Sequence, residues 1–173
     1  MIRKGTVQRT TQETDITVEL TIDGAQTSSI STGIGFFDHM LTLLAKHGRF
    51  GLVVEAKGDT YVDAHHTVED IGIALGQALV KALGDKVGIE RYGDAWVPMD
   101  EALTQVVIDL SGRPYLVFQG EWSTPVLGGN FETELVEDFF QALAMSATMN
   151  LHVRNIYGRN THHIIESMFK ATG

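Results

Sequence analysis

The chain has 173 residues, of which 43% are hydrophobic, and a formal net charge of −9 at pH 7. This suits one domain, or two small ones, with a proper core, and an acidic chain without a basic run argues against nucleic acid as a partner. The absence of cysteine excludes disulfides and thiolate metal sites. No apolar segment follows the first residues and no stretch approaches about 18 apolar residues, so we expect a cytoplasmic protein that neither is secreted nor spans a membrane.

The first half of the chain is predicted to hold strands, then a helix, a strand and a helix. Residues 16–22 alternate between apolar and polar side chains, which is typical of a half-buried strand. Asp23-Gly24 is a hairpin signal, and a short return strand over about 26–31 should follow. The elements predicted to complete this half are a helix over 36–46, a strand over 52–56 and a helix over 66–83 that Gly84 ends.

Two glycines, Gly72 and Gly76, lie on the apolar stripe of that second helix. Each lowers helix propensity by roughly 1 kcal/mol relative to alanine. Their presence predicts close contact between this helix and a neighbouring element.

The same plan restarts after a polar connector over 85–94. We take this connector as the boundary between two half-repeats, 1–90 and 91–173, of a single domain over 1–173. The elements predicted for the second half are a strand over 102–110, a return strand over 115–118, a loop over 121–130, a helix over 134–149, a strand over 151–156 and a last helix.

The two halves can be aligned with each other. The alignment pairs Glu13 with Glu101 and places His39 opposite Asp138. It predicts an α+β fold made by internal duplication, each half a small mixed sheet with two helices packed on one face. By the repeat, the last helix should be about as long as its counterpart over 66–83, so we expect that a C-terminal tail beyond Gly173 is missing.

Each half carries one His-His-x-x-Glu word, and four of the seven histidines lie in these two words. Imidazole and carboxylate are good ligands for divalent transition metals. The two words, together with the aligned pair of helix residues, supply eight candidate metal ligands: His39, His65, His66, Glu69, Asp138, His162, His163 and Glu166.

Helix geometry limits how these ligands can be shared. His65 and Glu69 face the same way, whereas His66 is turned by about 100°. Neighbouring imidazoles therefore suit two different metals, although His66 and Glu69, at i,i+3, could still share one ion. The residues alone leave Mn, Fe, Co, Ni and Zn open. A single His-His pair is weak evidence because histidines often cap helices, but two copies at matching positions make a metal site the better interpretation.

Other residues carry weaker hypotheses. Glu13 could be a general base, although an exposed glutamate is the simpler interpretation. Arg91, Arg113 and Lys170 could bind an anion, although ordinary surface salt bridges explain their spacing better. His47 could also belong to a site.

The words RTTQET at 9–14, FFDHML at 36–41, DAHHTVED at 63–70, PMDE at 98–101, DLSGRP at 109–114 and NTHHIIE at 160–166 span nearly the whole chain. With these words, in this order, the chain resembles the imidazoleglycerol-phosphate dehydratases of histidine biosynthesis. The resemblance implies a lyase that dehydrates D-erythro-imidazole-glycerol phosphate to imidazole-acetol phosphate with two Mn(II) ions per active site. It also implies a homo-oligomer of 24 subunits with sites between subunits.

The resemblance also implies a role for each candidate residue. One metal would be bound by His65, His162 and Glu166 with Asp138, and the other by His39, His66, Glu69 and His163. Glu13 would transfer protons, and His47 and Asp100 would line the site. The residues implied to bind the substrate phosphate are Arg91, Arg113 and Lys170, and the family's C-terminal Ser-x-Lys phosphate contact is expected to be missing with the tail.

The implied chemistry is reasonable, because the hydrogen to be removed is poorly acidic. Binding the substrate imidazole between metal ions favours its imidazolate form, which can expel hydroxide to give a diazafulvene-like intermediate. One alternative is a metal-dependent hydrolase of a small phosphorylated substrate, which would use the same ligands with a metal-bound water. A non-catalytic metal-storage assembly is the other.

Overall fold

The computed structural model describes residues 2–23 and 27–173. The elements of the first half are β1 (Lys4–Thr10), β2 (Thr14–Thr21), β3 (Ser29–Ser31), α1 (Gly35–Gly48), β4 (Gly51–Gly58) and α2 (His65–Leu83). The elements of the second half are β5 (Tyr92–Met99), β6 (Ala102–Asp109), β7 (Tyr115–Gln119), β8 (Val126–Leu127), β9 (Phe131–Glu132), α3 (Leu135–Ser146), β10 (Asn150–Tyr157) and α4 (Thr161–Thr172).

Two four-stranded sheets have the same topology. Their strand orders are β1-β2-β4-β3 and β5-β6-β10-β7. In each sheet the first three strands are antiparallel and the last is parallel to its neighbour. The predicted α+β fold, the internal duplication and the mixed sheets are therefore confirmed.

The helices fill the space between the two sheets. Helix α2 packs on β1 and β2, and α1 contacts β3 and β4; α4 packs on β5 and β6, and α3 contacts β7 and β10. The halves meet where α2 packs on α3 and α1 packs on α4. The core is rich in phenylalanine: Phe37, Phe139 and Phe169 are fully buried, with ring centroids 5.2–6.3 Å apart. No helix in the described ranges combines the length and hydrophobicity needed to cross a lipid bilayer.

The predicted return strands do not pair as hairpins. Gly24 of the predicted turn and the start of the predicted strand at Gln26 lie outside the described residues. The described part, β3, pairs in parallel with β4, and β7 likewise pairs with β10 rather than with β6. The central strands are β2 and β4 in one sheet and β6 and β10 in the other. The inward side chains of β4 and β10 are fully buried, whereas the short β3 suits an edge.

Two edge strands, β1 and β5, were not predicted, and β5 begins inside the predicted connector. Both are largely exposed on one face. Strand β1 has Val7 as its single apolar side chain, and in β5 apolar residues occupy exposed as well as half-buried positions, so neither shows the alternation on which strand prediction depends. The third helix also ends earlier than predicted, at Ser146, and Thr148 then adopts a left-handed conformation with φ of 50°.

Candidate metal centres

Helices α2 and α3 are parallel and in close contact. A Cβ added to Gly72 would lie 2.8 Å from the Phe139 carbonyl oxygen, and one added to Gly76 would lie 2.7 Å from the Ala147 nitrogen. Both helices therefore advance in the same direction. The contact predicted from these two glycines is confirmed, and its partner is α3.

Helices α1 and α4 are parallel too. His39 approaches Glu166 near the two N-termini, and Gly173 lies against Leu44 towards the C-termini. The C-terminal parts of all four helices line one largely apolar cavity of about 280 Å³, to which they contribute Leu44, Leu75, Leu79, Leu143 and Thr172. All four N-termini, with the eight candidate ligands, are consequently at the opposite end.

The two His-His words begin their helices in a similar way. An oxygen of Asp63 accepts a hydrogen bond from the backbone N–H of His65 at 2.9 Å. Asn160 does the same for His162, also at 2.9 Å. Asp and Asn satisfy exposed N–H groups at helix starts, and here they fix both words in the first helical turn.

The first cluster consists of His39, His162 and Glu166, whose ligand atoms all lie within 4.8 Å of one another. Oε2 of Glu166 is 3.1 Å from Nε2 of His162 and 3.5 Å from Nε2 of His39, while Oε1 pairs with Lys170 at 2.5 Å. Burial would raise the pKa of the Glu166 carboxyl, but Lys170, His162 and His39 outweigh that effect and hold it below its usual range. An ionised carboxylate facing two imidazoles suits a divalent transition metal.

The second cluster consists of His65, Glu69 and Asp138. Nε2 of His65 is 3.7 Å from Oε2 of Glu69, and Nδ1 of His65 is 3.6 Å from Oδ2 of Asp138. By the repeat, these three residues are the counterparts of the three in the first cluster. The duplication thus produces two related trios, but the second is more exposed and its two carboxylates face different ring nitrogens of His65. Among the described residues, only the first trio brings one ligand atom from each member within 4.8 Å of the others.

Within one chain this grouping differs from the partition that the resemblance implies, and that partition stays a prediction. There, His65 and Asp138 share a metal with His162 and Glu166, whereas the chain brings these last two together with His39. The parallel packing explains the difference, because α1 begins beside α4 and α2 begins beside α3. The identity of the eight residues as ligands stays a prediction.

The second histidine of each word is turned away from the first, as predicted. The ring planes of His65 and His66 are 84° apart, and those of His162 and His163 are 79° apart. His66 and His163 belong to neither cluster within the chain.

These two histidines have carboxylate partners instead. Nδ1 of His66 lies 3.0 Å from Asp59, whose hydrogen bond raises the pKa of His66. Nδ1 of His163 lies 2.7 Å from Glu101. The hydrogen bond with His163, and then that from the backbone of Asn160, lowers the pKa of Glu101 to about 2.

Asp59 and Glu101 were not identified from the sequence. Glu101 is the repeat counterpart of Glu13, and that alignment was a usable signal. Asp59 directly follows β4 in an ordinary polar turn, and nothing in the sequence distinguishes it from other turn residues.

Glu13 lies in the loop between β1 and β2, at an open pocket of about 360 Å³ that Lys57, Asp59 and Tyr61 also line. Within the described part of the chain, its carboxylate takes part in no hydrogen bond or ion pair. After Asp59, its charge adds to the raised pKa of His66. The geometry thus leaves Glu13 available to exchange a proton.

Asp70 anchors this loop to helix α2. Its two oxygens accept hydrogen bonds from Nε of Arg9 at 2.8 Å and from Oγ1 of Thr14 at 2.6 Å. Oγ1 of Thr11 in turn accepts a hydrogen bond from the backbone N–H of Glu13 at 3.1 Å. The position of Glu13 relative to α2 is therefore fixed by polar contacts, of which the Thr14–Asp70 hydrogen bond is buried.

The predicted anion-binding residues are divided between the two ends. Arg91 makes a two-point contact with Asp109, at 2.6 and 3.1 Å, and Arg113 lies 3.9 Å from the same carboxylate. Asp109 ends β6, and His47 lies in the last turn of α1, so these groups are at the end opposite the clusters. Lys170, by contrast, pairs with the first cluster.

Asp100 is exposed in the turn between β5 and β6, with φ of 48°. Its Oδ2 lies 3.9 Å from Nε2 of His163. Asp100 is thus close to the second His-His word, and its role in lining a site stays a prediction.

Comparison with known proteins gives one family. Residues 32–173 match the family model described as imidazoleglycerol-phosphate dehydratase. The protein of that name from Limosilactobacillus fermentum is 67% identical over 172 residues, which are 99% of this chain and 88% of that protein. The one from Acetivibrio thermocellus is 64% identical over 173 residues, 100% of this chain and 88% of that protein.

Solved structures agree with these relatives. A crystal structure of imidazoleglycerol-phosphate dehydratase from Staphylococcus aureus superposes with a TM-score of 0.87 at 45% identity, over 97% of this chain and 92% of that one. The enzyme from Pyrococcus furiosus gives a TM-score of 0.84 at 36% identity, over 96% of this chain and 88% of that one.

Proposed function

This chain belongs to the imidazoleglycerol-phosphate dehydratase family, hydro-lyases of histidine biosynthesis, and from that premise we propose the reaction it catalyses. The proposed substrate is D-erythro-imidazole-glycerol phosphate and the product is imidazole-acetol phosphate. The observation that carries the proposal is the convergence of imidazole and carboxylate groups at one end of four parallel helices. The chain's relatives are enzymes of amino-acid biosynthesis, which supports our proposal that it acts in the cytoplasm.

We propose two Mn(II) ions per active site. The first cluster offers two imidazoles and a buried, ionised carboxylate, and the second offers one imidazole and two carboxylates. Such mixed nitrogen and oxygen donors without sulfur fit a metal of this class. When bound, the ions supply Lewis-acid stabilisation of the negative charge that develops on the substrate's imidazole ring.

The protein's own groups would bind the substrate and move its protons. The reaction removes the hydroxyl from the carbon attached to the imidazole and a hydrogen from the neighbouring carbon, and the enol so formed becomes the ketone, so it needs a group that exchanges protons. Glu13 fits this role because its carboxylate is exposed, faces an open pocket and lies near His66. Arg91 and Arg113 share one carboxylate between two guanidinium groups, which leaves positive charge for the substrate phosphate.

We propose that active sites form between subunits of a 24-subunit assembly. His66 and His163 have ring nitrogens that no cluster of their own chain uses, and Arg91 and Arg113 lie at the end opposite the clusters. A second copy would bring such groups to the clusters of the first. Trp96 and Tyr157 are large side chains exposed on the second half, as expected for surfaces that other subunits cover.

The test is to add Mn(II) to metal-free protein and to follow formation of the ketone product from imidazole-glycerol phosphate. We expect turnover that depends on the metal. Turnover of a different phosphoester, with none of this substrate, would favour a hydrolase. Metal uptake without any turnover would favour storage.

Replacing Glu13 with glutamine tests its role in the same assay. We expect kcat to fall by about 10²–10⁴-fold, the usual contribution of a general acid–base group, while Mn(II) content is unchanged. Glu55→Gln is the matched control, because Glu55 is an exposed carboxylate on β4 outside both clusters. Full turnover by Glu13→Gln with metal bound would remove Glu13 from the mechanism.

Replacing Asp138 with alanine tests the second cluster. We expect the Mn(II) content to fall from two ions per chain to one, because one of three donors in this cluster is lost. Glu137→Ala is the control, since it removes the adjacent carboxylate of α3 from outside the cluster. Two ions per chain in Asp138→Ala would show that Asp138 is not a ligand.

A further inference from the structure

His66 and His163 share one feature beyond their place in the His-His words. In both, Nδ1 lies within hydrogen-bond distance of a carboxylate, at 3.0 Å for Asp59 and 2.7 Å for Glu101. The histidines of the two clusters differ, since their nearest carboxylate contacts are made by cluster members.

The carboxylates decide where the ring proton lies. An ionised carboxylate only accepts hydrogen bonds, so the ring nitrogen facing it carries the N–H. In a neutral imidazole the lone pair is then on the other nitrogen, Nε2. A metal binds only that lone pair, and a carboxylate on the far nitrogen fixes both the tautomer and the ring orientation.

The same arrangement arises from two different places in the repeat. Asp59 directly follows β4, in the connection to α2. Glu101 comes from the turn between β5 and β6, and its repeat counterpart is Glu13 rather than Asp59. A contact that was simply inherited through duplication would use equivalent carboxylates in the two halves, and these two are not equivalent. The need to keep Nε2 unprotonated in both histidines explains why each Nδ1 nevertheless faces a carboxylate.

Both carboxylates are held by backbone contacts. Oε1 of Glu101 accepts hydrogen bonds from the backbone N–H groups of Asn160 at 2.8 Å and Arg159 at 3.2 Å. This leaves Oε2 for His163. The backbone N–H of Asp59 donates to the carbonyl of Glu13 at 3.1 Å. The contacts of Asp59 therefore connect His66 with the loop that carries Glu13.

We propose that Asp59 and Glu101 are positioning residues that hold His66 and His163 as Nδ1–H tautomers, with Nε2 free to bind a divalent metal. The inference rests on the proposed function, because it takes these two histidines as metal ligands. It gives the two halves different uses for one repeat position: Glu13 exchanges protons, and Glu101 orients a ligand.

The test compares variants by Mn(II) titration and by ¹⁵N chemical shifts of the imidazole nitrogens in the metal-free assembly. In Asp59→Ala and Glu101→Ala, we expect Mn(II) affinity to fall by about 10–100-fold, as for other lost outer-shell partners. We also expect His66 or His163, respectively, to change from the Nδ1–H form to a mixture of tautomers. A residue with a merely structural role would leave the tautomer unchanged.

The amide variants sharpen the test. Glu101→Gln has one acceptor oxygen, which the two backbone N–H groups require, so its NH₂ would face His163 and favour a proton on Nε2. We expect this variant to bind Mn(II) at least as weakly as Glu101→Ala while it keeps the fold. In Asp59→Asn the carbonyl oxygen can still turn to the ring, so most of the affinity should remain.

Asp63→Asn is the matched control, since it removes one nearby charge but keeps an oxygen that can cap α2. We expect its Mn(II) affinity and tautomers to be unchanged. Suppose that the wild-type protein binds metal and dehydrates its substrate. If both alanine variants then kept the wild-type Mn(II) affinity and tautomers, this inference alone would be overturned. A wild-type protein that binds no Mn(II) and has no dehydratase activity would overturn the proposed function.

Discussion

Replacing Glu166 with glutamine should abolish metal binding at the first cluster and, with it, turnover. The carboxylate is only 6% exposed and uses both oxygens, one for Lys170 and the other towards His162 and His39. Glutamine keeps the shape but lacks the charge, and its NH₂ would face either the lysine or the histidines. We expect Mn(II) affinity at this cluster to fall by more than about 100-fold, beyond what the loss of an outer-shell partner costs.

The neighbouring lysine supplies the control for that experiment. Lys170→Met removes the ion-pair partner of Glu166 but leaves all three cluster side chains in place. We expect this variant to keep most of its Mn(II) affinity, measured by titration, even if substrate binding weakens. If Glu166→Gln bound two ions per chain as tightly as the wild type, the first cluster would not be a metal centre.

Replacing Gly72 or Gly76 with alanine should destabilise the fold, although alanine is the better helix former. A Cβ at Gly72 would lie 2.8 Å from the Phe139 carbonyl oxygen, and one at Gly76 would lie 2.8 Å from that of Leu143. Backbone atoms cannot turn aside, so the helices must separate. Overpacking costs about 1–3 kcal/mol against a gain in helix propensity of about 1 kcal/mol, so we expect a net loss of up to about 2 kcal/mol for each substitution.

Denaturant unfolding measures this effect, and Gly35→Ala is its control. Gly35 is the first residue of α1, and a Cβ there would meet no heavy atom within 4 Å. We expect its free energy of unfolding to be unchanged or slightly raised. If Gly72→Ala raised stability as well, the close α2–α3 contact would be wrong.

The same two glycines should affect the second cluster. His65 is on α2 and Asp138 is on α3, so their separation of 3.6 Å depends on how closely these helices approach. Gly72→Ala should therefore weaken Mn(II) binding at the second cluster more than at the first, whose residues lie on α1 and α4.

Periodicity predicted the helices well because each buries one apolar stripe. The helix over 66–83 differs by one residue from α2, His65–Leu83, and the close contact at Gly72 and Gly76 was also predicted. Periodicity could not give the partner of that contact. The division of the ligands into two trios depends on which helices start side by side, and this is decided by the packing of the two halves.

Strand pairing was harder to predict because it, too, depends on contacts between segments that are distant in the sequence. A turn signal such as Asp23-Gly24 describes a change of chain direction, but β3 reaches its place only because β4 lies between it and β2. Glu101 and Asp59 illustrate the same limit at the site. Their contacts with His163 and His66 join residues 62 and 7 positions apart, through a hairpin turn in one case and a strand-to-helix loop in the other.

The parallel arrangement of the four helices has a consequence for charge balance. Each helix N-terminus is equivalent to about half a positive charge, so four of them at one end oppose the entry of a cation. Glu69, Asp138 and Glu166 lie within the first two turns of their helices and carry the opposite charge. These carboxylates therefore compensate the helix ends as well as the ions they would bind, and a neutral ligand in their place would leave both uncompensated.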